Sequence, residues 1–169
     1  MEVNECMYKR RSIREFTNED VSRDDIDLLL NYAMSGPSAC NKKPWEFMVV
    51  KNNELLEKLR GVTRFTNIVS PLIIVVCGNM NFALKSKMKD FWIQDCSAAI
   101  ENILLGATSL NLGSCWCGIY PIESSYKAVQ NILNLEENII PLGYVIIGHP
   151  ALEVDGRTQY DEERVHFYE

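Results

Sequence analysis

Asp90-Phe91-Trp92-Ile93-Gln94-Asp95-Cys96-Ser97-Ala98-Ala99-Ile100-Glu101-Asn102-Ile103-Leu104-Leu105-Gly106-Ala107-Thr108-Ser109-Leu110-Asn111-Leu112 is the longest helical pattern in the chain. Ile93, Cys96, Ile100, Ile103, Leu104, Ala107 and Leu110 recur mostly at spacings of three and four, so they mark one face of a helix. Such a face has to be buried against other elements, which makes this the central core helix. Ser97, Ala98, Ala99, Gly106 and Ala107 are small enough for a second helix to pack closely. That helix can come from the same chain or from a partner subunit.

Strands flank the helix on both sides. Upstream, Pro71-Leu72-Ile73-Ile74-Val75-Val76-Cys77 is short, continuous and branched, as a fully buried strand should be, and Gly78 is expected to end it. Downstream, Leu112 to Pro121 combines strand formers with Gly113 and Gly118, and a glycine inside a strand marks a place where a ligand or another backbone comes close. Leu142 to Ile147 reads as another buried strand, and Trp45 to Val50 as a further one. Between them lie helices. One runs over residues 3–9, with Val3 and Met7 on one side. A second opens at Ser22-x-x-Asp25, a capping box ahead of Ile26, Leu29, Leu30 and Ala33. A third is capped by Asn53 and extends to Arg60, and a fourth runs from Ser124 or Ser125 to Leu133. Helices first, then strands interleaved with helices, indicate an α+β or mixed α/β sandwich around one sheet of four or five strands. No Gly-x-Gly-x-x-Gly follows a first strand, which argues against a dinucleotide-binding βαβ fold.

The 169 residues suffice for a single domain, residues 1–169, and composition restricts its partners. A formal net charge of −6, from 23 acidic against 17 basic side chains, disfavours nucleic acid and anionic membrane surfaces. The longest apolar run, around Leu72 to Cys77, is far short of the roughly 20 residues of a membrane helix. The six cysteines sit mostly among apolar neighbours behind a charged N-terminus, so reduced thiols and a cytoplasmic location are expected. Cys115 and Cys117 lack a second thiol pair or a histidine at metal-binding spacing, and core packing is the simpler reading of that pair.

Against this acidic background, Arg10-Arg11-Ser12-Ile13-Arg14 places three guanidinium groups and a hydroxyl in five residues. Alone it reads as a solvated basic turn; as a site it would hold an anion. Gly36-Pro37-Ser38-Ala39-Cys40-Asn41-Lys42-Lys43-Pro44 reads first as a connection, but a stiff and small one, suited to backbone lying against a flat ligand. There is no Gly-x-Ser-x-Gly elbow, no phosphate-binding Gly-x-x-x-x-Gly-Lys loop, and no histidine in a nucleophile's context. A chain so short of catalytic groups is either a binding module or an enzyme whose cofactor carries the reaction.

Five stretches, in order, resemble the FMN-dependent nitroreductase family: Arg10 to Arg14, Pro37-Ser38-Ala39-Cys40-Asn41-x-x-Pro44-Trp45, Gln94 to Ala99, Gly113 to Pro121, and Gly148-His149-Pro150. The resemblance implies a homodimeric α+β nitroreductase-like fold with a central, mostly antiparallel or mixed sheet flanked by helices. It implies FMN at the subunit interface and NAD(P)H as co-substrate. Arg10, Arg11 and Ser12 match positions that hold the FMN phosphate, and Arg14 matches a basic residue at the pyrimidine edge of the flavin. Pro37, Ser38, Ala39 and Asn41 match a loop reaching the flavin from the other subunit, and Cys117 and Gly118 a backbone segment beside flavin N5. Asn67 falls near a ring-contacting position, and Arg157 or Arg164 could complete the phosphate site.

The family pattern implies ping-pong hydride transfer to a small-molecule acceptor such as a nitroaromatic, a quinone or a flavin. No side chain is assigned an acid or base role. A flavin-binding or redox-sensing module with little turnover is the alternative. Lys43 stands where many members carry Gln, and the short span from Val76 to Gln94 implies a reduced lid over the pocket.

Overall fold

The structure, a computed structural model, describes residues 1–169. Strands β1 (Trp45–Val50), β2 (Leu72–Asn79), β3 (Gly113–Gly118) and β4 (Ile139–Gly148) form one sheet in the order β1-β2-β4-β3, with every neighbouring pair antiparallel. β2 and β4 are central, and layers of helices cover the sheet on both sides, so their alternating side chains are buried both ways. Leu72, Ile74 and Val76 point into one core, with α2 (Arg23–Met34) and α4 (Phe91–Ser109). Ile73, Val75 and Cys77 point into the other, with α3 (Asn53–Arg60) and α5 (Glu123–Leu133). This explains the continuous apolar run of β2 in an antiparallel sheet.

Most elements lie where the periodicity placed them, and the corrections are local. β2 continues through Gly78 to Asn79, because the glycine leaves room for the Trp92 ring: a Cβ there would lie 2.3 Å from Trp92 Cε3. The cap of α3 is Asn52, whose side chain accepts from Leu55 N–H at 3.0 Å, not Asn53. α5 starts at Glu123, one residue early, with no side-chain cap. The capping box of α2 is present, Ser22 Oγ accepting from Asp25 N–H at 3.0 Å and donating to Asp25 Oδ2 at 2.7 Å. The small residue Gly106 is used within the chain: a Cβ there would meet Tyr32 of α2 at 2.6 Å. No helix is long and apolar enough to cross a membrane.

α1 (Val3–Lys9) packs on α4, with Cys6 as its buried residue rather than Val3 or Met7, which are exposed. Only a three-residue 3-10 turn, Ser86–Met88, lies between β2 and α4. Beyond β4 the chain turns back across α1 and ends in a polar, exposed tail.

Candidate functional site

The chain leaves α1 with the N–H of Arg10 bonded to the Cys6 carbonyl at 2.8 Å, then runs along the free edge of β3. Ser12 pairs with Ser114 in a parallel bridge, and Ile13 N–H donates to the Ser114 carbonyl at 2.9 Å. Extended backbone sends alternate side chains to opposite sides. Arg10 and Ser12 accordingly face a cleft toward α4, while Ile13 faces the opposite side and the longer Arg11 side chain borders clefts on both. Ile13 fills the space over Gly113, where a Cβ would lie 2.9 Å away.

The returning tail brings a fourth guanidinium. Gly156 lies against the carbonyl of Tyr8, where a Cβ would approach to 2.6 Å, and Arg157 N–H donates to that carbonyl at 2.9 Å. Arg11 donates to the carbonyl of Asp155 and ties the tail down. Arg10, Arg11, Ser12, Arg14 and Arg157 thereby line one cleft of about 610 Å³ that contains no carboxylate. Of these arginines only Arg10 has an acidic partner, Glu101 of α4 at 3.5 Å. Arg14 reaches no carboxylate and makes one long contact, 3.4 Å to the Ser12 carbonyl. Concentrated, loosely engaged guanidinium is suited to a phosphate dianion.

Arg14 also lines a second cleft, of about 550 Å³, with Asn67, Trp116, Cys117 and Gly118. Because the Ser114 carbonyl faces the arginine stretch, the period of two aims the N–H groups of Trp116 and Gly118 at the same free edge. Nothing lies within 4 Å of the place where a Gly118 Cβ would be. A flat group could therefore approach this backbone closely. The Ser114 hydroxyl is buried and has no hydrogen-bond partner, a donor beside Ser12 still to be satisfied. A phosphate-bearing planar cofactor fits these residues: anion donors at one end, an open N–H edge at the other, and Arg14 between.

Cys115 and Cys117 point to the other face of β3, into the second core. Cys117 as a neighbouring donor, then the Arg14 charge, pulls the Cys115 thiol down to about 7, while Cys115 in its turn and burial push the Cys117 thiol up. Cys117 Sγ also donates to the Phe65 carbonyl at 3.2 Å. Residues two apart on a strand are separated by roughly 6.6 Å, whereas a disulfide needs Cβ atoms about 3.5–4.5 Å apart. The extended backbone of β3 thus keeps both thiols free, as they are here. Burial pushes the Cys96 thiol up to about 12 and that of Cys77 further still, so these two are inert core groups.

Of the residues singled out in the sequence, Arg10, Arg11, Ser12, Arg14, Asn67, Cys117, Gly118 and Arg157 come together along this one trough. Arg164 does not; it pairs with Asp161 at 2.9 Å in the exposed tail. Pro37, Ser38, Ala39 and Asn41 line none of the clefts on β3 and sit instead over the first turns of α4. Their loop holds three residues in the left-handed region, Cys40 (φ 50°), Asn41 (φ 54°) and Lys43 (φ 49°). Sequence reasoning gave no individual role to Asp95, Glu101, Arg64 or Trp116. An acidic residue on the buried side of an apolar helix was a usable signal for Asp95; Arg64 and Glu101 carried none.

Comparison with known proteins supplies the context. A family model described as "Nitroreductase family" matches residues 7–71 and 64–149. A protein of Methanothermobacter thermautotrophicus named "Putative NADH dehydrogenase/NAD(P)H nitroreductase" is 39% identical over 168 residues, covering 98% of this chain and 86% of its own length. The crystal structure of a "Putative NADH Oxidase" from Clostridium acetobutylicum is 36% identical with a TM-score of 0.90, covering 97% of this chain and 99% of its own. A nitroreductase-type structure from Desulfovibrio desulfuricans, described as "in complex with fmn", is 28% identical with a TM-score of 0.86, covering 100% of this chain and 98% of its own.

Proposed function

The chain belongs to the nitroreductase family, and on that premise we propose that it is an FMN-dependent NAD(P)H oxidoreductase, with residues 1–169 as one FMN-binding domain. The observation that carries this reading is the carboxylate-free cleft of four guanidinium groups that continues, at Arg14, into the open N–H edge of β3. A bound flavin would supply the redox chemistry, accepting hydride at N5 from a reduced nicotinamide and passing electrons to a second acceptor at the same place. Arg10, Arg11, Ser12 and Arg157 hold the phosphate. Gly118 N–H would be the donor beside N5 and would orient the reacting face, while Asn67 would contact the ring from across the cleft.

Arg14, which borders both clefts, would lie at the pyrimidine edge, where its cation would stabilise the negative charge of the reduced ring. Arg14→Ala is expected to leave FMN bound but to lower its reduction potential, by about 30 mV for each 1.4 kcal/mol of lost differential interaction. Equilibration with a reference dye measures this, and an unchanged potential would remove Arg14 from the ring edge.

Homodimerisation is supported by the Pro37–Asn41 loop lining no cleft beside β3 in its own chain, and by exposed apolar side chains on α1 and α2, among them Val3, Met7, Tyr32 and Met34. The reduced lid suits a wide acceptor range of nitroaromatics, quinones and free flavins. Six free thiols suit the reducing cytoplasm.

Purified protein should be yellow, or become so with FMN, and anaerobic NADH or NADPH should bleach it within one turnover. Protein that stays colourless in excess FMN would refute the proposal. Flavin that binds but is not bleached by either nucleotide would assign the passive module instead.

A further inference from the structure

Asp95 is almost fully buried on α4, 6% exposed, and lies one turn in from the start of the helix. Its Oδ1 accepts the N–H of Ala39 at 2.8 Å, a contact bridging 56 positions of sequence. The loop it grips is internally braced. Lys43 N–H donates to Ser38 Oγ at 3.0 Å, and Asn41 N–H donates to the Ser38 carbonyl at 2.9 Å. At its far end the Pro44 carbonyl accepts from Asn79 N–H at 2.6 Å.

Between these anchors Cys40, Asn41 and Lys43 all occupy the left-handed region, which non-glycine side chains disfavour. No glycine relieves them. Strain of this kind persists only where surrounding contacts over-determine it, and Asp95 provides the one hydrogen bond that fastens the front of the loop to a helix. Ala39, Cys40 and Asn41 include no buried residue, so no core packing of their own holds that turn in shape.

We propose that Asp95 is a positioning residue for the partner protomer's cofactor: by holding Ala39 N–H it keeps Ser38, Ala39 and Asn41 in the strained shape that meets the flavin across the interface. The inference rests on the FMN reading for what the loop touches, and on the geometry of this chain for how the loop is held. A buried carboxylate in one subunit would then set cofactor affinity in the other without touching it.

The test uses the dimeric protein in three variants. Asp95→Ala removes the acceptor. Asp95→Asn keeps an oxygen at the same place. Ala39→Pro removes the donor and leaves α4 intact, the extended backbone of Ser38 (φ −141°, ψ 148°) being compatible with a following proline. Two readouts are taken, FMN affinity by fluorescence titration and hydrogen exchange of the loop amides in the cofactor-free protein.

Asp95→Ala and Ala39→Pro are each expected to weaken FMN binding at least tenfold and to speed exchange at Asn41 to Lys43 at least tenfold. Asp95→Asn should stay within about threefold of wild type in both. Folded, dimeric Asp95→Ala protein with wild-type affinity and exchange overturns the proposal. So does Asp95→Asn behaving like Asp95→Ala, since that points to the charge rather than the hydrogen bond. If Asp95→Ala does not fold, Ala39→Pro decides alone by the same criteria. Wild-type protein that binds no FMN overturns the functional reading itself, an outcome distinct from tight wild-type binding with indifferent variants.

Discussion

Arg10→Ala protein is expected to purify without flavin and to bind added FMN about 100-fold more weakly than wild type. Two effects act in the same direction. A charge-assisted hydrogen bond to the phosphate, worth roughly 1.5–3 kcal/mol, is lost, and each 1.4 kcal/mol is about tenfold in affinity. Glu101, which lies 3.5 Å from Arg10 Nε, is also left without a partner beside the anion. Repulsion then adds to the missing attraction.

Arg11→Ala should cost less, because that guanidinium is partly committed to the Asp155 carbonyl and its loss is felt through a looser tail. The double variant Arg10→Ala/Glu101→Gln separates the two terms and should recover part of the affinity. Calorimetric titration with FMN at two salt concentrations measures all of these. Wild-type affinity in Arg10→Ala would remove the phosphate from this cleft.

Gly78→Ala is expected to be the most destabilising conservative change in the sheet. The added methyl would sit 2.3 Å from Cε3 and 2.9 Å from Cδ2 of Trp92, a rigid ring that is itself buried. Neither the central strand β2 nor the indole can yield without disturbing neighbours, so overpacking should cost about 1–3 kcal/mol. For a chain of this size that lowers Tm by roughly 2–4 °C per kcal/mol. Trp92 lies in the first turn of α4, three residues before Asp95, so displaced aromatic packing should also loosen the Pro37–Asn41 loop. Scanning calorimetry checks the first effect and FMN titration the second. A second substitution, Trp92→Leu, should restore part of the stability by vacating the space. An unchanged Tm in Gly78→Ala would show that the ring can move aside.

Much of this architecture was legible in the amino-acid order because the signals were local. The spacing of Ile100, Ile103 and Ala107 identified α4, the branched run at Leu72 identified β2, and Ser22 with Asp25 identified the start of α2. Errors fell where a distant neighbour overrode a local cue. Gly78 reads as a strand end until Trp92 is packed over it. Asn53 reads as a cap although Asn52 takes the role, a one-residue ambiguity common at helix ends.

The site divided along the same line. Arg10, Arg11, Ser12 and Arg14 are neighbours in the chain, so their density was visible at once. Whether that density was a solvated turn or the wall of a cleft depended on Ser12 pairing with Ser114 and on Gly156 admitting Arg157, contacts that cross most of the chain. Asp95 and Ala39 are separated by 56 positions and give no joint signal.

By itself, then, the sequence determined the element types, the two-sided burial of the central strands and the presence of a compact basic cluster, because periodicity, capping and composition act over a few residues. Only the tertiary structure decided that the cluster's one carboxylate contact is Glu101 on Arg10, that Gly118 presents a free N–H beside Arg14, and that a buried aspartate holds a strained loop. Those properties belong to hydrogen bonds and close approaches between segments far apart in the chain, and their energies exist only once the sheet has brought the segments together.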